Sequence, residues 1–202
     1  MPTPNERGRR YVAGLDGIRA LAVACVISYH LGARWAPGGM LGVGVFFTLS
    51  GYLITDLLLE HHRRRGNLGL AGFWLRRARR LLPALFLMLA VVSVWVALFD
   101  ASQLAAVRTQ VLAAAVYISN WVTIAQHGSY FARFAAPLPL DHLWSLAIEE
   151  QFYLVWPWLV GLGIWAVHSR KVLAAVTLVA AAGSALLMSH LYHPGYDPTR
   201  VY

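Results

Sequence analysis

Charge is scarce in this chain. Only 13% of its 202 residues are charged, against about 25% in an average soluble domain. Carboxylates are the rarest charge, with nine Asp and Glu against seventeen Lys and Arg. That composition excludes a soluble globular fold with an ordinary solvated surface. Cysteine occurs once, as Cys25, inside an apolar run. A disulfide framework, a CxxC redox pair and a thiolate zinc site are therefore excluded. Also missing are GxSxG, P-loop, HExxH and Rossmann fingerprints, any internal repeat, and any separate soluble domain.

What is present is apolar. Hydrophobic residues make up 58% of the chain and the mean hydropathy is +0.55. The apolar runs are long enough to span a bilayer. The fold class expected is all-α, a polytopic membrane helix bundle of about five to six transmembrane or re-entrant helices. The net charge of +8 would suggest nucleic acid in a soluble protein. Here the basic residues flank apolar segments, so the expected partner is the lipid bilayer, with no nucleic acid. The expected location is the cell membrane (plasma or inner membrane), as a multi-pass protein.

The first 14 residues read as a cytoplasmic tail, and 15–202 as the membrane domain. Arg7, Arg9 and Arg10 ahead of an apolar run look like a signal-peptide start. Arg19 and His30 interrupt that run, which favours an uncleaved signal anchor. Helices are expected over 15–33, 40–59, 82–99, 142–167 and 172–191. Pro37-Gly38-Gly39 closes the first. The basic segments 61–67 and 76–80 are expected to separate the second helix from the third, with Pro83 at the third helix's start. Asp100-Ala101-Ser102 reads as a turn and helix cap. The stretch 104–125 carries Arg108, Gln110 and Asn120. Three basic clusters share the cytoplasmic side only if this stretch does not cross, so it is expected to be re-entrant or interfacial.

Four constellations carry chemistry. Arg19 and His30 are eleven residues apart, which on a helix puts them on one side, offset by roughly 20° and about 16 Å apart along the axis. An ionisable group at the centre of a membrane helix costs about 2.5–3.5 kcal/mol, so the pair marks two depths of a polar track. Asp16 lies one turn before Arg19. Arg19 suits an anion and His30 a general base; the plainer reading is a snorkelling arginine and a packing histidine. The second constellation is Arg76-Arg77-Ala78-Arg79-Arg80. Its guanidinium forks suit phosphates, although topology anchoring alone would also use them. In the third, His142, Ser145, Glu149 and Tyr153 share one helical face, and Glu150 adjoins Glu149. Adjacent carboxylates in an apolar helix repel, so one of them is expected to serve as a protonated acid or polar anchor. The plainer reading is a helix start capped by Asp141, with Glu149 paired to an arginine. The fourth, Gly42 to Thr55, reads as a close-packing surface.

Together these segments resemble the acyltransferase-3 family of integral-membrane O-acyltransferases. The family's basic residue, ten residues, then histidine falls on Arg19 and His30. Its Gly-Val-x-Val-Phe-Phe-x-Leu-Ser-Gly-Phe-Leu-Ile-Thr run appears from Gly42 to Thr55 with Tyr52 for Phe, and Gly44 stands where an Asp is frequent. Arg76, Arg77, Arg80 and Pro83 match the arginine-rich segment. The His-x-Trp-Ser-Leu-x-x-Glu-Glu-Gln-Phe-Tyr-Leu-x-Trp-Pro signature is intact from His142 to Pro157.

The resemblance implies transfer of an acetyl or other short acyl group to a hydroxyl of a glycan, cell-envelope polymer or glycosylated small molecule. Acyl-CoA is implied as the donor substrate, with no bound cofactor and no metal. His30 and Glu149 would be catalytic. Arg19, Arg76, Arg77 and Arg80 would bind acyl-CoA, and Asp16, His142, Ser145, Glu150 and Tyr153 would support them. The family domain usually has about ten helices, so the later ones are expected to be missing here. Two alternatives of other classes are a polytopic transporter component and a catalytically inactive membrane subunit. Paired broken helices in two halves, which would mark a transporter, are not evident.

Overall fold

The structure is a computed structural model and describes residues 13–36, 38–125, 138–167 and 170–192. The described residues form seven α-helices and one short 3-10 turn, joined by turns. The all-α expectation therefore holds. Three helices are long and apolar enough to cross a membrane: Leu41–Arg65, Leu70–Phe99 and Ala174–Leu191. Residues 1–12 of the expected tail, and His168-Ser169 in the last basic cluster, lie outside the described residues. The chain divides into two compact units, Met1–Leu57 and Leu58–Tyr202.

In the first unit, α1 (Ala13–His30) is followed by a turn and the start of α2 (Leu41–Arg65). Two glycines bring the turn and α2 onto the backbone of α1. A Cβ on Gly42 would stand 2.5 Å from the Ala22 carbonyl oxygen and 2.8 Å from Val26 Cγ2. One on Gly39 would strike the Cys25 carbonyl oxygen and reach 2.8 Å from Tyr29 Cβ. Gly44, by contrast, faces open space. The expected packing role of this stretch thus falls on Gly42, and Gly39 in the turn before it packs likewise.

Two helix boundaries differ from expectation. The second helix does not stop at residue 59 but continues through His61, His62 and Arg63 to Arg65. Arginine is a good helix former, positive charge suits a helix C-terminus, and Glu60 accepts hydrogen bonds from Arg63 and Arg64 one turn on. A tight turn follows, with Gly66 at φ 70 and Gly69 at φ 58, and the Asn67 side-chain oxygen accepting from the Gly69 amide at 3.1 Å. The third helix then starts at Leu70 rather than 82. The arginine cluster and Pro83 lie inside it. The ring deletes one backbone hydrogen bond, and the flanking strong helix formers carry the helix across.

In the second unit, α3 (Leu70–Phe99) packs on α4 (Leu104–Ala115) and on the turn leading into α6 (Leu143–Val167). Leu85, Leu89, Val96, Val107, Ala114, Leu140 and Leu143 form its buried core. Asp100 caps through side chains only: its carboxylate accepts from Ser102 Oγ at 2.6 Å and from Gln103, and it makes no side-chain bond to the helix backbone. The stretch 104–125 is two helices, α4 and α5 (Ser119–Ala125), broken at Tyr117, which has φ 58. Twelve residues reach about 18 Å, short of a hydrocarbon core of about 30 Å. The chain closes with α7 (Arg170–Leu191) beside α6.

Many large apolar side chains stay exposed, among them Leu87, Trp95, Leu98, Trp165 and Val179. In a bilayer these face acyl chains. Lipid removes the hydrophobic drive for helices to associate, so packing and interhelical polar bonds must supply it.

Candidate active site

Arg19 and His30 both lie on α1. Arg19 Nη1 is 3.9 Å from Asp16 Oδ1, a loose pair one turn apart. His30 is exposed at the helix end, its Nδ1 2.8 Å from the Val26 carbonyl oxygen. A carbonyl only accepts, so this contact uses the tautomer with its proton on Nδ1, in which Nε2 is the other ring nitrogen. Tyr29 meets the imidazole edge-on, with ring centroids 5.5 Å apart.

The four arginines of α3 divide by environment. Arg76, Arg79 and Arg80 are exposed, with no ion pair among the described residues. Arg77 turns inward. Its Nε lies 3.0 Å from both carboxylate oxygens of Glu150, and its Nη2 lies 2.6 Å from Glu150 Oε1. The Arg77 guanidinium carbon also sits 3.2 Å from the centroid of the Tyr153 ring, a cation–π contact. The guanidinium that the sequence assigns to a CoA phosphate is thus already gripped by a carboxylate.

Tyr153 is only 4% exposed. Its hydroxyl donates to Glu149, one turn earlier on α6, and its backbone carbonyl accepts from Trp74 Nε1 of α3 at 3.0 Å. Glu149 and Glu150 therefore go to different partners, the phenol and the guanidinium, and both partners stack on each other. This arrangement holds two adjacent carboxylates inside an apolar helix, where an uncompensated charge is costly. It also leaves a hydroxyl and a carboxylate in direct contact, the requirement for passing a proton between them.

The sequence placed His142 first on this helical face. It instead lies in the turn before α6, which begins at Leu143. In the turn 138–141 the Leu138 amide donates to Asp141 Oδ2 at 2.9 Å, so Asp141 closes the turn that leads into α6. Ser145 Oγ donates back to the His142 carbonyl at 3.2 Å. From Ser145 through Glu149 to Tyr153 the expected face is realised on α6.

Sequence reasoning missed Gln151. Its amide nitrogen donates to the Tyr117 carbonyl at 2.7 Å and to Asn120 Oδ1 at 2.9 Å. Its oxygen accepts from Trp121 Nε1 at 3.1 Å. One side chain thus ties the break at Tyr117 to α5, from the position next to Glu150 in the sequence. Its place in the Glu-Glu-Gln run was the available signal; its partners, 30 to 34 residues away, carry none.

Comparison with known proteins defines the class. A family model described as an acyltransferase domain matches residues 12–202, and the chain belongs to that family, acyltransferase-3. Among individual relatives, it is 52% identical over 193 residues to a putative peptidoglycan O-acetyltransferase, YrhL, of Bacillus subtilis, covering 96% of this chain and 30% of that protein. It is 47% identical over 202 residues to the peptidoglycan O-acetyltransferase OatA of Listeria monocytogenes, covering 100% of this chain and 32% of that protein. A putative O-acetyltransferase of Staphylococcus aureus is 42% identical over 193 residues, covering 96% of this chain and 32% of that protein. The chain thus spans about a third of the length of the curated relatives it matches. No solved structure matches it.

Proposed function

We propose that the chain works in a membrane O-acetyltransferase that acylates a cell-envelope glycan, with peptidoglycan as the foremost acceptor and acyl-CoA as the donor. The observation that carries this reading is the Arg77–Glu150 pair stacked on Tyr153, whose hydroxyl meets Glu149. It is a prepared polar centre within the intact signature of a family whose relatives here carry O-acetyltransferase names.

In this reading the acceptor hydroxyl gives its proton to His30 Nε2 while its oxygen bonds to the acyl carbonyl carbon. The carbon–sulfur bond then breaks, and the proton passes to the departing CoA thiolate. Products are the ester and free CoA. The Val26 carbonyl, by fixing the proton on Nδ1, holds the ring in the tautomer this needs. Half-buried Arg19 and the exposed Arg76 and Arg80 supply positive charge for the CoA phosphates. The span of about 16 Å between Arg19 and His30 is comparable to the reach of a pantetheine arm. Arg77 and Glu150 position α3 against α6, and Glu149 with Tyr153 orients or protonates. By the positive-inside rule, this reading has the N-terminus, 61–80 and Lys171 in the cytoplasm.

The test is acetyl transfer from labelled acetyl-CoA to peptidoglycan fragments by membranes carrying the full-length protein. Alkali-labile label on the glycan, absent with His30→Ala, is the expected result. Label from another donor only, or none on any glycan, overturns the reading.

A further inference from the structure

Arg108 on α4 takes no part in the proposed acyl transfer. It is exposed, and it makes no ion pair among the described residues. The described carboxylates of its own compact unit are all engaged elsewhere. Glu60 accepts from Arg63 and Arg64, and Asp100 from Ser102 and Gln103. Asp141 accepts from Gln110 and the Leu138 amide, Glu149 from the Tyr153 hydroxyl, and Glu150 from Arg77. A guanidinium stays charged at any physiological pH, so its counter-charge comes from outside these residues.

The neighbours of Arg108 are apolar. Val107, Ala113 and Ala114 form the buried side of α4. Arg108 points away from them, with exposed Leu104 one turn before it and exposed Leu112 one turn after. Its depth follows from α3. Past the arginine cluster, the stretch 81–99 of that helix rises about 27 Å, close to the hydrocarbon thickness of about 30 Å. An α3 that crosses the bilayer with its arginines at one boundary therefore has Phe99 at the other. Exposed Trp95, with its ring centroid 4.5 Å from that of Phe99, is the kind of side chain that membrane interfaces favour. Just beyond, α4 begins at Leu104 and packs on α3. Arg108 is one turn further, about 6 Å along the axis, within snorkelling reach of the headgroups.

We propose that Arg108 holds the phosphate of a phospholipid headgroup, with the acyl chains of that lipid against Leu104 and Leu112. A guanidinium fork matches two phosphate oxygens with parallel hydrogen bonds. A phospholipid satisfies both parts of this face, the charge with its phosphate and the leucines with its hydrocarbon; a soluble phosphate satisfies only the first. The donor phosphates proposed for Arg76 and Arg80 belong to the opposite end of α3, so the two anions do not compete. Held this way, α4 lies along the membrane boundary.

The full-length protein in detergent tests it, with bound lipid counted by native mass spectrometry during titration with dioleoylphosphatidylglycerol. The unmodified protein should retain this lipid, and Arg108→Gln should weaken retention about tenfold, the worth of a hydrogen bond to a charged group. Arg108→Lys should recover part of the loss, because it keeps the charge without the fork. Arg65→Gln removes another exposed arginine and should leave retention unchanged. Dioleoylglycerol, with the same chains and no phosphate, should be retained poorly, and glycerophosphoglycerol, the headgroup without chains, should not displace the lipid. In lipid-free detergent Arg108→Gln should melt with the unmodified protein. Unchanged lipid retention in Arg108→Gln, or an equal loss in Arg65→Gln, overturns the proposal. Displacement by glycerophosphoglycerol overturns it in favour of a soluble phosphate. A lowered lipid-free melting temperature in Arg108→Gln overturns it in favour of another segment of the protein covering this face.

Discussion

Arg77 on α3 and Glu150 on α6, 73 residues apart in sequence, meet as a two-pronged ion pair with 2.6 and 3.0 Å contacts. Their side chains are 24% and 13% exposed, so neither charge is well solvated alone. Removing one partner strands the other, which costs on the order of 3 kcal/mol for such pairs. Arg77→Ala and Glu150→Ala should each lower the melting temperature in detergent clearly, and the double variant should be less damaged than the sum of the two. Arg77→Lys should recover only part of the loss, because it keeps the charge and loses the fork. Additive single and double variants would show that the pair does not couple α3 to α6.

His30→Ala should reduce transfer by about 100- to 10,000-fold, the usual contribution of a positioned proton acceptor, with membrane insertion unchanged. His30→Gln is a sharper probe. The glutamine amide still donates a hydrogen bond in place of Nδ1–H, but it offers no basic nitrogen. It should be as inactive as the alanine variant. Turnover near normal in either variant would remove the proposed base.

How much of this was legible beforehand divides along a physical line. Helix identity, the shared face of Ser145, Glu149 and Tyr153, and the conspicuous Arg19 and His30 all follow from local spacing, and local spacing is what a sequence displays. Helix ends were misjudged where charge was taken to break a helix. Arg63 to Arg65 and Arg76 to Arg80 instead extend α2 and α3, since arginine has high helix propensity and a helix end beyond the hydrocarbon is free to be charged. Partner choice was not legible. Nothing local tells Glu150 rather than Glu149 to take Arg77, or Gln151 to hold Tyr117 and Asn120; those pairings exist only once α3, α5 and α6 are side by side.

The exposed arginines should behave unlike Arg77. Arg76→Gln and Arg80→Gln, singly and together, should raise the acyl-CoA KM progressively, with little change in maximal rate and little change in melting temperature. That pattern is loss of uniform ground-state binding. The effect should shrink at high salt, which screens exposed charge. Donor saturation curves identical to those of the unmodified protein would reduce both residues to topology anchors.

Gly42 and Gly44 are two residues apart yet should respond oppositely. A methyl group on Gly42 meets the Ala22 carbonyl oxygen at 2.5 Å and Val26 Cγ2 at 2.8 Å, and overpacking of this kind costs typically about 1–3 kcal/mol. A methyl on Gly44 meets nothing within 4 Å. Gly42→Ala should therefore lower folded yield and melting temperature, while Gly44→Ala should be silent. Gly44→Asp, which restores the carboxylate frequent in the family, should also be accommodated sterically. Equal damage from the two alanine variants would show that α2 does not approach α1 through Gly42.

The proposed sidedness rests on the shortness of α4 and α5, neither of which alone reaches across a hydrocarbon core. In that proposal the chain enters and leaves the 104–125 stretch on one face of the membrane, the N-terminus and the arginine cluster are cytoplasmic, α3 ends outside, α6 begins outside at the turn 138–141, and Lys171 returns to the cytoplasm. After Cys25→Ser removes the native thiol, Pro139→Cys should react with an impermeant thiol reagent in intact cells. Asn67→Cys and Lys171→Cys should react only after permeabilisation. Labelling of position 171 from outside, with 67 protected, would mean that 104–125 crosses the membrane and would overturn the proposed sidedness.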